Sequence, residues 1–107
     1  MEKIRVVIAE DEAIIRLDLR ETLENAGYIV MAETGRGDEA VRLVSEHKPE
    51  VVILDVKMPG MDGIQAAREI ASVEDTAVVI LTAFSQRELI DEAVDAGALA
   101  YLVKPYQ

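Results

Sequence analysis

The sequence contains no cysteine, which excludes thiol nucleophiles, disulfide staples and zinc–thiolate sites and fits a reducing cytoplasm. Basic residues are few: 11 Lys and Arg stand against 21 Asp and Glu, a formal charge of -10. Phosphate contacts need clustered Lys and Arg, so direct nucleic-acid binding is not expected. Apolar runs such as Val6 to Ala9 and Ala77 to Leu81 are far too short to span a bilayer or serve as a signal peptide, so no membrane association is expected. No internal repeat, low-complexity tract or linker interrupts the 107 residues. That length suits one domain with a core of its own.

What is present is a strict alternation of two periodicities. Strands are expected at Arg5 to Ala9, Ile29 to Glu33, Val51 to Leu54, Ala77 to Leu81 and Ala100 to Val103. Four of them are nearly continuous Val- and Ile-rich runs, as for strands buried on both faces. A first helix over Glu12 to Ala26 places Ile15, Leu19, Leu23 and Ala26 on one side and ends at Gly27. A second, Asp38 to His47, buries Ala40, Val41, Leu43 and Val44 and is stopped by Pro49. The third starts at a cap, Asp62, with Gln65 as return partner, and buries Ile64, Ala67, Ile70 and Ala71. Ser85 and Glu88 read as a capping box for a fourth that buries Leu89, Ile90, Ala93 and Val94 and stops at Gly97. Such βα alternation implies an α/β, doubly wound parallel sheet with helices on both faces. Gln107 comes four residues after the last strand, where a further helix is expected, so residues 1–107 read as one domain cut before its last helix.

Polar residues gather where the strands end. Glu10, Asp11 and Glu12 follow the first strand, Asp55 the third, Thr82 the fourth, and Lys104 and Pro105 the fifth. Carboxyl ends of parallel strands share one edge, and ligands bind there at the point where strand order reverses. In the order 2-1-3-4-5, assumed here, that point lies between strands one and three and brings Asp11 to Asp55. Clustered carboxylates repel and stay ionised only when a cation joins them. An all-oxygen site with room for water suits Mg²⁺. A lone Lys and a hydroxyl beside it suggest an anion, and together these groups suit phosphoryl transfer. The only histidine, His47, closes the second helix away from this edge, so no Ser–His or Cys–His nucleophile can be assembled. An ionised aspartate needs no base. Asp55 is the candidate nucleophile.

These residues resemble a known family. The segment Ala9-Glu10-Asp11-Glu12, the run Leu54-Asp55-Val56-Lys57-Met58-Pro59-Gly60-Met61-Asp62-Gly63, the pair Thr82-Ala83 and the ending Tyr101-Leu102-Val103-Lys104-Pro105 are similar to the receiver domains of two-component response regulators. The resemblance spans almost the whole chain and implies a flavodoxin-like sheet. It implies that Asp55 accepts a phosphoryl group from a phosphohistidine on a sensor histidine kinase or phosphotransfer protein. Glu10, Asp11, Asp55 and the Lys57 backbone carbonyl would hold Mg²⁺, while Lys104, the Thr82 hydroxyl and the Ala83 amide would stabilise the phosphoryl oxygens. Thr82 and Tyr101 would form the switch, Tyr101 turning inward as Thr82 is drawn to the phosphoryl group and repacking the helix-four and strand-five surface that partners bind. A cis Lys104-Pro105 bond would aim the lysine. Thr82 to Arg87 with Ala98 to Pro105 looks most like receivers attached to RNA-binding antitermination (ANTAR-type) outputs. Glu10 departs from the commoner Asp, a longer arm that suits a water-mediated metal contact.

Plainer readings accompany these. Glu12 complements the positive end of the first helix, Asp62 is a cap and Gly63 a backbone convenience. The segment Gly35-Arg36-Gly37-Asp38-Glu39-Ala40 matches a dinucleotide fingerprint, with Asp55 at the right distance, but follows the second strand rather than the first. An aspartate-nucleophile phosphatase would carry a second acid where Lys57 stands. An inert α/β interaction domain is the remaining alternative. Without a last helix, the apolar surface beside the first helix would be exposed or covered by a second copy.

Overall fold

The computed structural model describes residues 3–104. The chain runs β1 Arg5–Ala9, α1 Ala13–Asn25, β2 Ile29–Thr34, α2 Gly37–His47, β3 Val51–Leu54, α3 Gly63–Val73, β4 Ala77–Thr82, α4 Arg87–Asp95 and β5 Ala100–Val103. All four pairings are parallel and the strand order is β2-β1-β3-β4-β5. The α/β doubly wound fold and the 2-1-3-4-5 order are therefore as expected. The Lys104-Pro105 bond lies outside the described residues.

Alternation along the strands divides the core into two layers. Val7, Ala9, Val52, Leu54, Val78 and Ile80 face α2, α3 and α4. On the other face Val6, Ile8, Val30 and Leu81 meet Leu19 of α1. Val51 and Ile53 of β3 and Ala77 and Val79 of β4 are half-buried, and every other residue of the central strands β1, β3 and β4 apart from Arg5 is buried. β5 is not: Leu102 is 48% and Val103 40% exposed. This strand pairs only with β4, and among the described residues α4 is the helix packed on it. An apolar run states that a strand can be buried on both faces, not that it sits centrally.

Helix α4 is held thinly. Ala93 is buried, Leu89 and Ile90 are half-buried, and Val94, expected inside, is 65% exposed. Ala71 of α3 is exposed as well, its place taken by Ala66, and Ala26 lies exposed as the C-cap of α1. The expected Ser85–Glu88 capping box does not form. Gln86 is the N-cap and makes no side-chain cap bond, so Glu88 falls one position short of the residue that would close a box. At α3 half of the expectation holds: Asp62 Oδ1 accepts the Gln65 backbone N–H at 2.8 Å, but the Gln65 side chain makes no return bond to the Asp62 N–H.

The turn between β3 and α3 is tighter than the sequence suggests. A Cβ on Gly63 would lie 1.8 Å from the Asp55 carbonyl oxygen. Gly63 is thus required, not convenient: its bare Cα lets the α3 N-terminus close against the strand end. Gly63→Ala should cost about 3 kcal/mol, the upper end for overpacking, read as a lowered denaturation midpoint. An unchanged midpoint would show that the turn yields freely.

Candidate functional site

The site is assembled by continuing the strand ladders one residue past the strands. The Asp55 N–H donates to the Ala9 carbonyl at 3.0 Å, and the Glu10 N–H to the Thr34 carbonyl at 2.9 Å. These bonds put Glu10 and Asp55 side by side at the edge between β1 and β3. Carboxylate oxygens of Glu10, Asp11 and Asp55 all lie within 4.8 Å of one another. Lys104, after β5, reaches across: its Nζ is 3.1 Å from Asp55 Oδ2 and hydrogen-bonds Glu10 Oε1. Asp55 Oδ1 accepts the Val56 N–H at 2.7 Å, and Glu10 Oε2 the Glu12 N–H at 3.1 Å. Glu12 itself makes no side-chain cap bond.

One ammonium among three carboxylates leaves the cluster short of positive charge. The Glu10 side chain is only 3% exposed. Burial pushes its carboxyl above the ordinary range; the Lys104 hydrogen bond pulls the other way without cancelling this, and the Asp55 charge adds to the rise. Burial works against the charge on Lys104, yet its bonds to Glu10 and Asp55 outweigh burial and hold it above the usual lysine range. The lysine therefore stays an ammonium. The donor set is all-oxygen and open on the Asp11 side, which suits a hard divalent cation with part of its water retained.

The remaining sequence-predicted residues fall around this cluster. Thr82 is fully buried at the end of β4; its carbonyl accepts the Lys104 N–H at 2.7 Å and its Oγ1 accepts the Phe84 N–H at 3.4 Å. Ala83 follows on the exposed side. Lys57 lines a groove of about 450 Å³ with Asp11, Met58, Pro59 and Leu89. Tyr101 packs against the larger core layer, and its hydroxyl donates to the Phe84 carbonyl at 2.5 Å. Burial, then the charge of Asp55, raises its phenol above the ordinary tyrosine range. Pro105 lies outside the described residues. His47, at the far end of α2, offers its carbonyl to Arg5 at 3.1 Å, at the opposite edge of the sheet.

Three contributors went unnoticed in the sequence. Arg16 of α1 donates to the Glu10 carbonyl at 2.7 Å and bridges to Glu33 at 3.7 Å, bracing the loop that carries Glu10 and Asp11. Its only signal was an arginine one turn inside α1, which reads as a solvated face. The second is Gly37, whose N–H donates to the Pro59 carbonyl at 3.2 Å and whose Cβ, if present, would lie 1.8 Å from the Met61 carbonyl oxygen. The dinucleotide-like glycine pattern thus has a packing explanation: α2 closes on the loop after Asp55. The third is Phe84, the hydrogen-bond partner of both Thr82 and Tyr101.

Residues 6–107 match the family model described as the response regulator receiver domain. The chain belongs to that family. Receiver domains are signalling phosphoacceptors of two-component systems and are not generally classed as enzymes. The transcriptional regulatory protein PdtaR of Mycobacterium tuberculosis is 61% identical over 102 residues, covering 95% of this chain and 50% of PdtaR. The chain thus spans about half the length of that relative. The chemotaxis protein CheY of Thermotoga maritima is 39% identical over 104 residues, 96% of this chain and 87% of CheY. Among solved structures, the signal receiver domain of NarL from M. tuberculosis superposes with a TM-score of 0.96 at 32% identity, covering 100% of this chain and 88% of that one. A CheX–CheY–BeF3–Mg²⁺ complex from Borrelia burgdorferi gives 0.92 at 26% identity, covering 97% and 80%. Among the described residues no helix is long and apolar enough to cross a membrane.

Proposed function

We propose that this receiver domain, residues 1–107, is a phosphorylation-dependent switch of the cytoplasm in which Asp55 takes a phosphoryl group from a phosphohistidine on a sensor histidine kinase or phosphotransfer protein. The observation that carries this is the meeting of Glu10, Asp11 and Asp55 within 4.8 Å, with the Lys104 ammonium on Asp55. Asp55 attacks phosphorus through a carboxylate oxygen; the new O–P bond forms as the P–N bond breaks, and the imidazole keeps the electron pair. Lys104 stands where it can pass from Asp55 to a phosphoryl oxygen. The Thr82 hydroxyl and Ala83 amide donate to the oxygens on the β4 side. Glu10, Asp11, Asp55 and the Lys57 carbonyl would hold Mg²⁺, which supplies positive charge to the phosphoryl oxygens during the in-line displacement.

The output follows from the other end of the switch. When Thr82 is drawn toward the phosphoryl group, its bond to the Phe84 N–H is released and Tyr101 repositions, changing the surface of α4 and β5. Val94, Leu99, Leu102 and Val103 are exposed there, an apolar patch for an output module or a second copy of the chain. Similarity to PdtaR and the segments flanking α4 support an output in transcriptional control of the RNA-binding antitermination kind, carried by residues other than these. The domain itself, with its formal charge of -10, makes no direct nucleic-acid contact.

Incubation with a small-molecule phosphodonor and Mg²⁺ should add one phosphoryl group by intact mass, released by hydroxylamine as an acyl phosphate is. A chelator should prevent the addition. A chain that stays unmodified, or that instead hydrolyses external phosphomonoesters with turnover, would sink this reading.

A further inference from the structure

Phe84 is tied to three parts of the molecule at once. Its N–H donates to Thr82 Oγ1 at 3.4 Å, its carbonyl accepts the Tyr101 hydroxyl at 2.5 Å, and its ring lies under the Lys57 ammonium, 5.4 Å from Nζ to the ring centroid. The first two bonds belong to the β4–α4 loop and β5. The third crosses to the loop after β3, which carries Lys57 two residues beyond Asp55. A cation held over an aromatic face within about 6 Å is attracted by the ring quadrupole. The ring packs against the larger core layer, so its position is fixed from below and read from above.

We infer that the Lys57–Phe84 contact is a clasp joining the loop after Asp55 to the loop after Thr82, and that Phe84 is a positioning residue setting how firmly Tyr101 is held. Lys57 touches no atom of Tyr101 through a hydrogen bond; its influence passes through the Phe84 ring to the Phe84 carbonyl. When the β3–α3 loop shifts, Lys57 carries the ring with it. Phe84 then moves the carbonyl that anchors the Tyr101 hydroxyl. The two loops thereby respond as one body. A resulting communication between the phosphoacceptor and the α4–β5 surface rests on the function proposed above. The clasp itself does not.

The test uses the whole chain without metal, so its result stands whether or not Asp55 proves to be the phosphoacceptor. The reporter is the carbon-13 Cζ resonance of Tyr101, assigned with Tyr101→Phe. Lys57 is exposed, so Lys57→Gln leaves folding intact, checked by the amide spectrum. Lys57→Gln and Phe84→Leu should each lower the equilibrium constant for forming the Tyr101–Phe84 hydrogen bond roughly two- to five-fold, the range an exposed cation–π contact supports. The double variant should lose no more than the larger single change, because both remove the same contact. Lys57→Arg and Phe84→Tyr, which keep the cation and the ring, should give the wild-type signal. A Tyr101 resonance unmoved in Lys57→Gln, two effects that simply add, or a Phe84→Tyr variant no better than Phe84→Leu would each overturn the clasp.

Discussion

Asp55→Asn should lose all phosphoryl uptake while folding at least as stably as the parent chain. Asparagine keeps the shape of the side chain and an oxygen for the Val56 N–H, the 2.7 Å bond that orients the carboxylate. What it loses is the negative charge and the nucleophilic oxygen, and with them any route to an acyl phosphate. Removing one of three clustered charges relieves repulsion, and Lys104 still has Glu10 as partner. Thermal stability in metal-free buffer should therefore hold or rise. The two readouts must be taken together: lost labelling with a lowered melting temperature would indicate damage rather than a missing nucleophile. Labelling that persists at the parental level would move the phosphoacceptor elsewhere, Asp11 being the nearest alternative.

Added Mg²⁺ gives a second measure of the same substitution. A ligand that binds only the folded state stabilises it by RT ln(1 + [L]/Kd), about 1.4 kcal/mol at ten times Kd. For a domain of this size that raises the melting temperature by roughly 6–11 °C. Asp55→Asn takes one of the three carboxylates from the cluster, so the rise should shrink at equal Mg²⁺. A rise of unchanged size would mean that the cation binds without Asp55.

Most of the architecture was legible because burial on a parallel sheet and burial against it have different periods. Val51 to Leu54 can be read as a strand and Ala40, Leu43 and Val44 as a helical stripe with no further information. The strand order was not legible in this way; it came with the resemblance, since no pattern in β1 or β3 says which strands are neighbours. Edge and centre were equally hidden. Tyr101-Leu102-Val103 looks as apolar as Val52-Ile53-Leu54, yet a residue's exposure depends on what packs above it, which is not a local property. Helix α4 failed for a related reason: Val94 fits the stripe, but only Ala93 sits squarely over the sheet.

The candidate site was legible as far as its side chains carry their chemistry openly. Glu10, Asp11, Asp55 and Lys104 stand at abrupt changes from apolar to polar, and strand ends share an edge by geometry alone. Gly37, Gly63, Arg16 and Phe84 were not. The two glycines act through close approach of distant backbone, Arg16 through a carbonyl, and Phe84 through its own backbone and ring face. None of those roles changes what a residue looks like to its sequence neighbours.

Lys104→Ala should expose how much of this site is held together by one cation. Losing the ammonium leaves the Glu10 carboxylate, 3% exposed, beside Asp55 with no positive partner. Breaking a buried pair from one side costs about 3–5 kcal/mol; here water reaches the site through Asp11, so about 2–3 kcal/mol is expected at neutral pH without metal. The pH dependence fixes the cause. In the parent chain Glu10 already sits above its unfolded value of 4.5 because of burial, so the folded state binds its proton more readily than the unfolded one. Without Lys104 the folded value rises further. A carboxyl raised in this way weakens folding as pH climbs through the window from its unfolded to its folded value, and the full cost is felt only above that window. The deficit of Lys104→Ala should therefore shrink already as pH falls toward 4.5, whereas the deficit from losing an ordinary surface ion pair, whose carboxyl is held below its unfolded value, would persist to that pH and shrink only beneath it. Mg²⁺ should also restore part of the stability, because a cation among the three carboxylates replaces the missing charge. Its restoration of folding should not extend to the phosphorylation response, since Lys104 is the group placed to follow the phosphoryl oxygen. A deficit that stays constant from neutral pH down to 5 would show that the lysine stem, not its charge, is what the site has lost.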